Sequence, residues 1–174
     1  MKGFFTLLFS ISFLLNLEAQ NLEETYEVAC DCWTVTNYYD NGQVSSVHHE
    51  NNARKKDGDA VVYGYEGQKV RYEHWVNGRL DGTATHYHPD GSIYLEATYE
   101  NGKKKGRWLF REPDGTPSQE IIYSGNGSDG IYVLYYAGVK YVEQTIENGK
   151  LVNTNVVHQE LYDIVQEESS QTTK

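Results

Sequence analysis

Along most of the chain, large and polar residues alternate in short runs separated by glycine-bearing turns. "TATHYH" (Thr83–His88), "IYLEATYE" (Ile93–Glu100) and "IYVLYY" (Ile131–Tyr136) are rich in β-branched and aromatic residues, the period-two signature of strands. The turn "PDG" recurs at Pro89–Gly91 and Pro113–Gly115, where Pro presets φ and Gly accepts a positive one. Asn-Gly pairs at Asn77-Gly78 and Asn101-Gly102 end other runs, the strongest short hairpin signal. The period changes only near the C-terminus. In "VVHQELYDIVQEE" (Val156–Glu168), Val157, Leu161, Ile164 and Val165 fall on one helical face, with Asn155 as the expected N-cap and "SSQTTK" as a disordered tail.

The turns are periodic. Gly58, Gly82, Gly106 and Gly130 are each 24 residues apart, and Gly67, Gly91, Gly115 and Gly138 follow at spacings of 24, 24 and 23. Self-similarity at a fixed short period indicates a repeat array. The expected organisation is a signal peptide at 1–19, a lead-in strand at 20–36, a degenerate repeat at 37–57, four hairpin repeats at 58–153, and a helix and tail at 154–174. The expected fold is all-β: an elongated antiparallel meander of about four and a half 24-residue β-hairpin repeats, closed by a short C-terminal capping helix. Equivalent residues of neighbouring units then stand two strands apart, roughly 9–10 Å.

The stretch "YENGKKKGRWLFREPDG" closely resembles the MORN-repeat variant of bacterial proteins, many of them YwqK-type antitoxins. The element N-G-K-x-x-G occurs as Asn77-Gly78-Arg79 to Gly82 and as Asn101-Gly102-Lys103 to Gly106. The resemblance covers 58–151 and, more faintly, 38–56. It implies an elongated repeat sheet used for contacts, and it implies no catalytic residues. The third unit departs from the pattern, with "SGNGSDG" replacing the Lys-bearing turn and Pro117 just inside a strand, so an edge or bulge is expected there.

Composition narrows the function. Among 174 residues the net charge is -10, which disfavours nucleic acid and anionic membrane surfaces, since binding them needs clustered cations. At the N-terminus Lys2 precedes an apolar run, Phe4–Leu15, too short to span a bilayer and suited to export with cleavage near Ala19 or Gln20. No Cys lies at that cut, so lipidation is not expected. The mature protein is expected to be periplasmic or secreted.

Candidate contact residues come from the repeat register. Trp75, Tyr99 and Tyr123 share one position in the unit, with Ile146 in the fourth; Tyr63, Tyr87 and Tyr135 share another, interrupted by Arg111. Such ladders either pack one face of a single-layer sheet or present an aromatic stripe to a partner. Lys103, Lys104 and Lys105 are expected in a solvated turn, the alternative being contact with an anionic membrane surface or polymer. Glu96, Glu120 and Glu143 recur at one position, too far apart and too alike for acid–base catalysis. His86 and His88, two apart on one strand, are candidate metal ligands with His74 as the available third, but a solvated face explains them better and no metal is assigned. Cys30 and Cys32 flank Asp31; a bridge across one residue would close a strained small ring, and metal ligation, pairing between chains and free thiols all remain open.

These readings describe a non-enzymatic, cofactor-free repeat protein that holds an unknown protein partner. The alternatives are an antitoxin or immunity protein, whose partner is a toxin, and a carbohydrate- or envelope-binding module using the aromatic ladder.

Overall fold

The computed structural model describes residues 22–172, so the expected signal segment lies outside the described residues. The strands are β1 (Leu22–Glu27), β2 (Cys32–Tyr38), β3 (Val44–Glu50), β4 (Lys56–Tyr63), β5 (Lys69–Val76), β6 (Arg79–Tyr87) and β7 (Ile93–Glu100). They continue as β8 (Lys103–Lys104), β9 (Gly106–Arg111), β10 (Pro117–Tyr123), β11 (Gly130–Tyr136), β12 (Val139–Glu147) and β13 (Lys150–Val156), followed by the helix α1 (Gln159–Thr172). All 13 strands form one open antiparallel sheet in which each strand pairs with its sequence neighbours, and β8 pairs with β7 beside the start of β9. The meander expected from the repeat is therefore the fold.

The periodic glycines acquire a physical reason from the register. Gly58 pairs with Trp75, Gly82 with Tyr99, Gly106 with Tyr123 and Gly130 with Ile146. Each large residue of the first ladder thus stands opposite a glycine on the adjacent strand. Gly82 has φ +94, a conformation that a side chain disfavours. At Gly130 a Cβ would meet the Ile122 carbonyl oxygen at 2.4 Å.

A bulge also recurs. Register shifts occur at Asn37/Tyr38, Val62/Tyr63, His86/Tyr87, Pro117/Gln119 and Leu134/Tyr135. The irregularity expected at Pro117 is therefore present, but it belongs to every unit and not to the proline. Further shifts fall at His48/Glu50, Glu73/Trp75 and Thr145/Ile146, and bulges increase local twist. Along the Asn-Gly edge each turn also bonds to the preceding hairpin: the Gly78 N–H donates to the Lys56 carbonyl at 2.7 Å and the Gly102 N–H to that of Leu80 at 2.8 Å.

Three expectations need correction at the ends. The lead-in at 20–36 is not one strand: β1 and β2 form a hairpin around the turn Val28–Asp31, where Asp31 has φ 54. Asn155 is not the helix cap, because it is still paired with Glu143 in the sheet. The N–H groups of Val157 and His158 both donate to the Tyr141 carbonyl, at 2.9 and 3.1 Å, which holds the chain on the sheet beyond Asn155. The His158 ring then accepts the Leu161 N–H. Finally, the helix includes Ser169–Thr172, which were expected in the tail. Leu161, Tyr162 and Val165 are partly buried, whereas Val157 and Ile164 of the expected apolar face are exposed.

Candidate partner-binding face

Side chains alternate across a strand, so the register sorts every candidate onto one of two faces. On the first, Ala60 pairs with Glu73, Glu73 with Ala84 and Ala84 with Ala97. The core cluster grows from this row: Ala84, Leu95, Ala97, Trp108, Ile121 and Tyr123, with Tyr99, Phe110 and Tyr132 packed against it. Tyr99, Trp108, Tyr123 and Tyr132 form a chain of edge-to-face rings with centroids 5.0, 5.3 and 6.3 Å apart. Pairs of this kind contribute about 0.5–1.5 kcal/mol beyond their buried area. The first ladder thus packs its face, while Leu109 and Val133, paired with Glu96, Glu120 and Glu143, are buried on the other. Tyr123, 6% exposed, is corrected from candidate contact residue to core, and Tyr99 is half-buried beside it.

Trp108 was not among the candidates, yet it links the two ladder tyrosines. The register could have found it, since Ala60, Ala84, Trp108 and Tyr132 occupy one position in successive units. The first two units keep Ala there and the next two fill the space with rings.

Trp75 lies on the same face but is only half-buried. Its indole N–H donates to the buried Glu73 carboxylate at 3.2 Å, and the Lys56 ammonium sits 5.0 Å above the ring. All three tryptophans carry such a cation: Arg54 over Trp33 at 4.8 Å, and Lys104 over Trp108 at 5.0 Å and Tyr123 at 5.3 Å. The lysine triplet is exposed, as expected, but it is not wholly turn. Lys103 and Lys104 form a short strand, Lys104 lies over aromatic rings, and Lys105 makes an exposed ion pair with Glu100.

The second face holds the other ladder. Thr83, Thr85 and Tyr87 share it along β6, and Tyr63, Arg111 and Tyr135 occupy the equivalent places in the other units. The recurring glutamates lie here, each with its own cation: Glu96 with Arg111 at 3.0 Å, Glu120 with Arg107, and Glu143 with Lys140. Arg107 holds the Glu120 carboxyl below its ordinary range despite partial burial, and the Tyr135 hydroxyl donates to it at 2.9 Å. Lys140 similarly lowers Glu143. Asp59 is lowered by His74 and then Tyr72, whose ring nitrogen and hydroxyl both lie 2.8 Å from one carboxylate oxygen. Each of the three recurring carboxylates is thus ion-paired within the sheet. Among them Ile122 and Ile131, directly paired, are 44% and 41% exposed.

The histidine candidates do not converge. His86 is on the packed face, where burial and then Arg71 lower its pKa against the opposing effect of Glu73. His74 is on the other face, one residue out of phase with Glu73. His88 has left the strand, bonds to the Arg111 carbonyl at 2.9 Å and stacks edgewise on Tyr94. The alternation that separates His74 from His86 removes the expected third ligand.

The MORN repeat variant family matches residues 80–101. The match is to the repeat and distinguishes no antitoxin subfamily. Comparison with curated proteins gives no match. Among solved structures, a chain described as the crystal structure of the GtfA/B complex is similar at 17% identity and TM-score 0.37, over 56% of this chain and 19% of that one. This chain therefore spans about a fifth of the length of that structure. The matched segment Leu80–Asn101 runs through β6, its PDG turn and β7, one hairpin of an array whose neighbours follow the same register. Residues 80–101 of this chain match the MORN repeat variant.

Proposed function

We propose that this chain is a non-enzymatic protein-interaction module that works outside the cytoplasm and holds a protein partner against the second face of its sheet. The observation that carries the reading is the exposed Ile122–Ile131 pair, set among half-buried tyrosines and neutralised glutamates. An apolar centre with a polar, charge-compensated surround has the composition of a protein-binding patch. A protein partner also suits the spacing, because Tyr63 and Tyr87 stand two strands apart along one row, roughly 9–10 Å. The short apolar run ahead of Ala19 supports export. The toxin partner of an antitoxin would be one case of the same reading, met outside the cytoplasm.

The test uses the chain from Gln20 onward as bait in envelope extract, beside the variants Ile122→Ser/Ile131→Ser and Tyr99→Phe. Proteins retained by the parent and by Tyr99→Phe but lost with the double serine variant, at unchanged melting temperature, support the reading. Equal retention by all three overturns the assignment of the face. Recovery of an intact Met1 from the purified natural protein would overturn export.

A further inference from the structure

We propose that the Cys30–Cys32 bridge is a reducible cover on a soft metal site, in which the two released thiolates, the Glu27 carboxylate and the His49 imidazole bind a zinc-like divalent cation. The two cysteines are bonded across one residue, with Cα atoms 5.2 Å apart. Their short separation follows from the turn at Val28–Asp31, whose positive φ at Asp31 brings Cys30 back beside the start of β2.

The bridge has little structural work. Glu27 is already paired with Cys32 in the β1–β2 ladder, and a ring closed over two residues restricts the unfolded chain least of any. Cys30 is exposed, and exposed disulfides are the labile ones. The surroundings then supply a donor set. The ligand atoms of Glu27, Cys30 and Cys32 lie within 4.8 Å of one another. The Thr34 hydroxyl donates to Glu27 Oε1 at 2.6 Å and contacts His49 Nδ1 at 3.1 Å, so one hydroxyl joins the carboxylate to the imidazole. Glu27, both cysteines and His49 line one open cleft of about 470 Å3, with Asp57 on its rim. Two sulfurs, one nitrogen and one oxygen suit a tetrahedral borderline-soft ion such as zinc.

The chemistry balances with a dithiol as reductant. Its two thiols attack the bridge in turn and leave as a cyclic disulfide, while Cys30 and Cys32 gain one S–H each. Metal binding then releases both thiol protons to solvent.

The test compares oxidised and phosphine-reduced chain. Cobalt(II) is the spectroscopic probe, and zinc affinity is read by competition with a chromophoric chelator. We expect one equivalent of cobalt in the reduced protein, with a thiolate-to-cobalt charge-transfer band. Zinc binding should be at least about 100-fold tighter in the reduced than in the oxidised form, a difference of two thiolate ligands. Glu27→Gln and His49→Gln should each weaken it about tenfold, a loss of the size that outer partners already produce. Equal affinity in the two redox states, or cobalt binding without the thiolate band, overturns the proposal. Should Glu27→Gln or His49→Gln fail to fold, the comparison of redox states in the parent chain still decides it.

Discussion

At the residue scale, the same side-chain type has different jobs along one face. Trp108 is 5% exposed between Tyr99 and Tyr123, so Trp108→Ala should destabilise by about 3–5 kcal/mol. Trp75 is half-open beneath Lys56, and Trp75→Ala should cost clearly less; paired urea titrations of the two variants measure the difference. Titration gives a second prediction. Burial keeps the His86 pKa below 6.5 in the folded chain, so unfolding takes up a proton and stability declines as pH falls from 6.5. Glu120 is held below 4.5 by Arg107, so its contribution is full above 4.5 and is lost as pH falls through the folded value. Urea midpoints across pH should therefore show two declines on acidification. His86→Gln should remove the upper one, and Arg107→Gln should flatten the lower one; a profile unchanged by both substitutions would contradict these roles.

At the element scale, the unit is a hairpin of fixed length whose glycine faces a large residue. Deleting Gly82–Lys105 removes one period and joins Asp81 to Gly106, which has the same place in the next unit. The shortened chain should keep its β-type circular dichroism and a cooperative transition. Removing 23 residues should invert the faces of the following strand and abolish that transition. Gly130→Ala tests the same fit locally. Its added Cβ would press on the Ile122 carbonyl at 2.4 Å, backbone that cannot step aside, so the melting temperature should fall well beyond that of an ordinary surface substitution.

The element scale is also where the sequence was most legible. Asn-Gly and PDG turns act through local φ preferences, and strand alternation acts through the pleat, so both can be read without knowing the partners. Asn155 failed as a cap because an unforeseen contact, two N–H groups on the Tyr141 carbonyl, continued the sheet past it. The candidate contact residues were half legible. The two ladders are real rows, but which row packs depends on Trp108, Ile121 and Tyr132 arriving from neighbouring strands. The exposure of the lysine triplet was legible, but the cation–π contacts of Lys104 were not, since Trp108 and Tyr123, the rings beneath it, lie on other strands.

At the scale of the whole molecule, one layer of strands makes an extended body. The path β1 to β13 crosses eleven strand spacings, outside β8, or roughly 50 Å along the hydrogen-bonding direction. A compact chain of this length has a radius of gyration near 16 Å; small-angle scattering should give a distinctly larger value with an elongated distance distribution. A compact profile would mean that the sheet folds back on itself or is covered.

What the sequence determined by itself is the periodic part of the protein: hairpins of 24 residues, their turn chemistry and the antiparallel order of neighbours. These follow from contacts between residues close in the chain, where spacing alone sets geometry. Tertiary structure decided which face is core, where each cation rests, how Cys30 reaches Cys32 and where the helix begins. Those outcomes depend on residues one or two strands away, whose side chains meet only once register, bulge and twist have brought them to the same face.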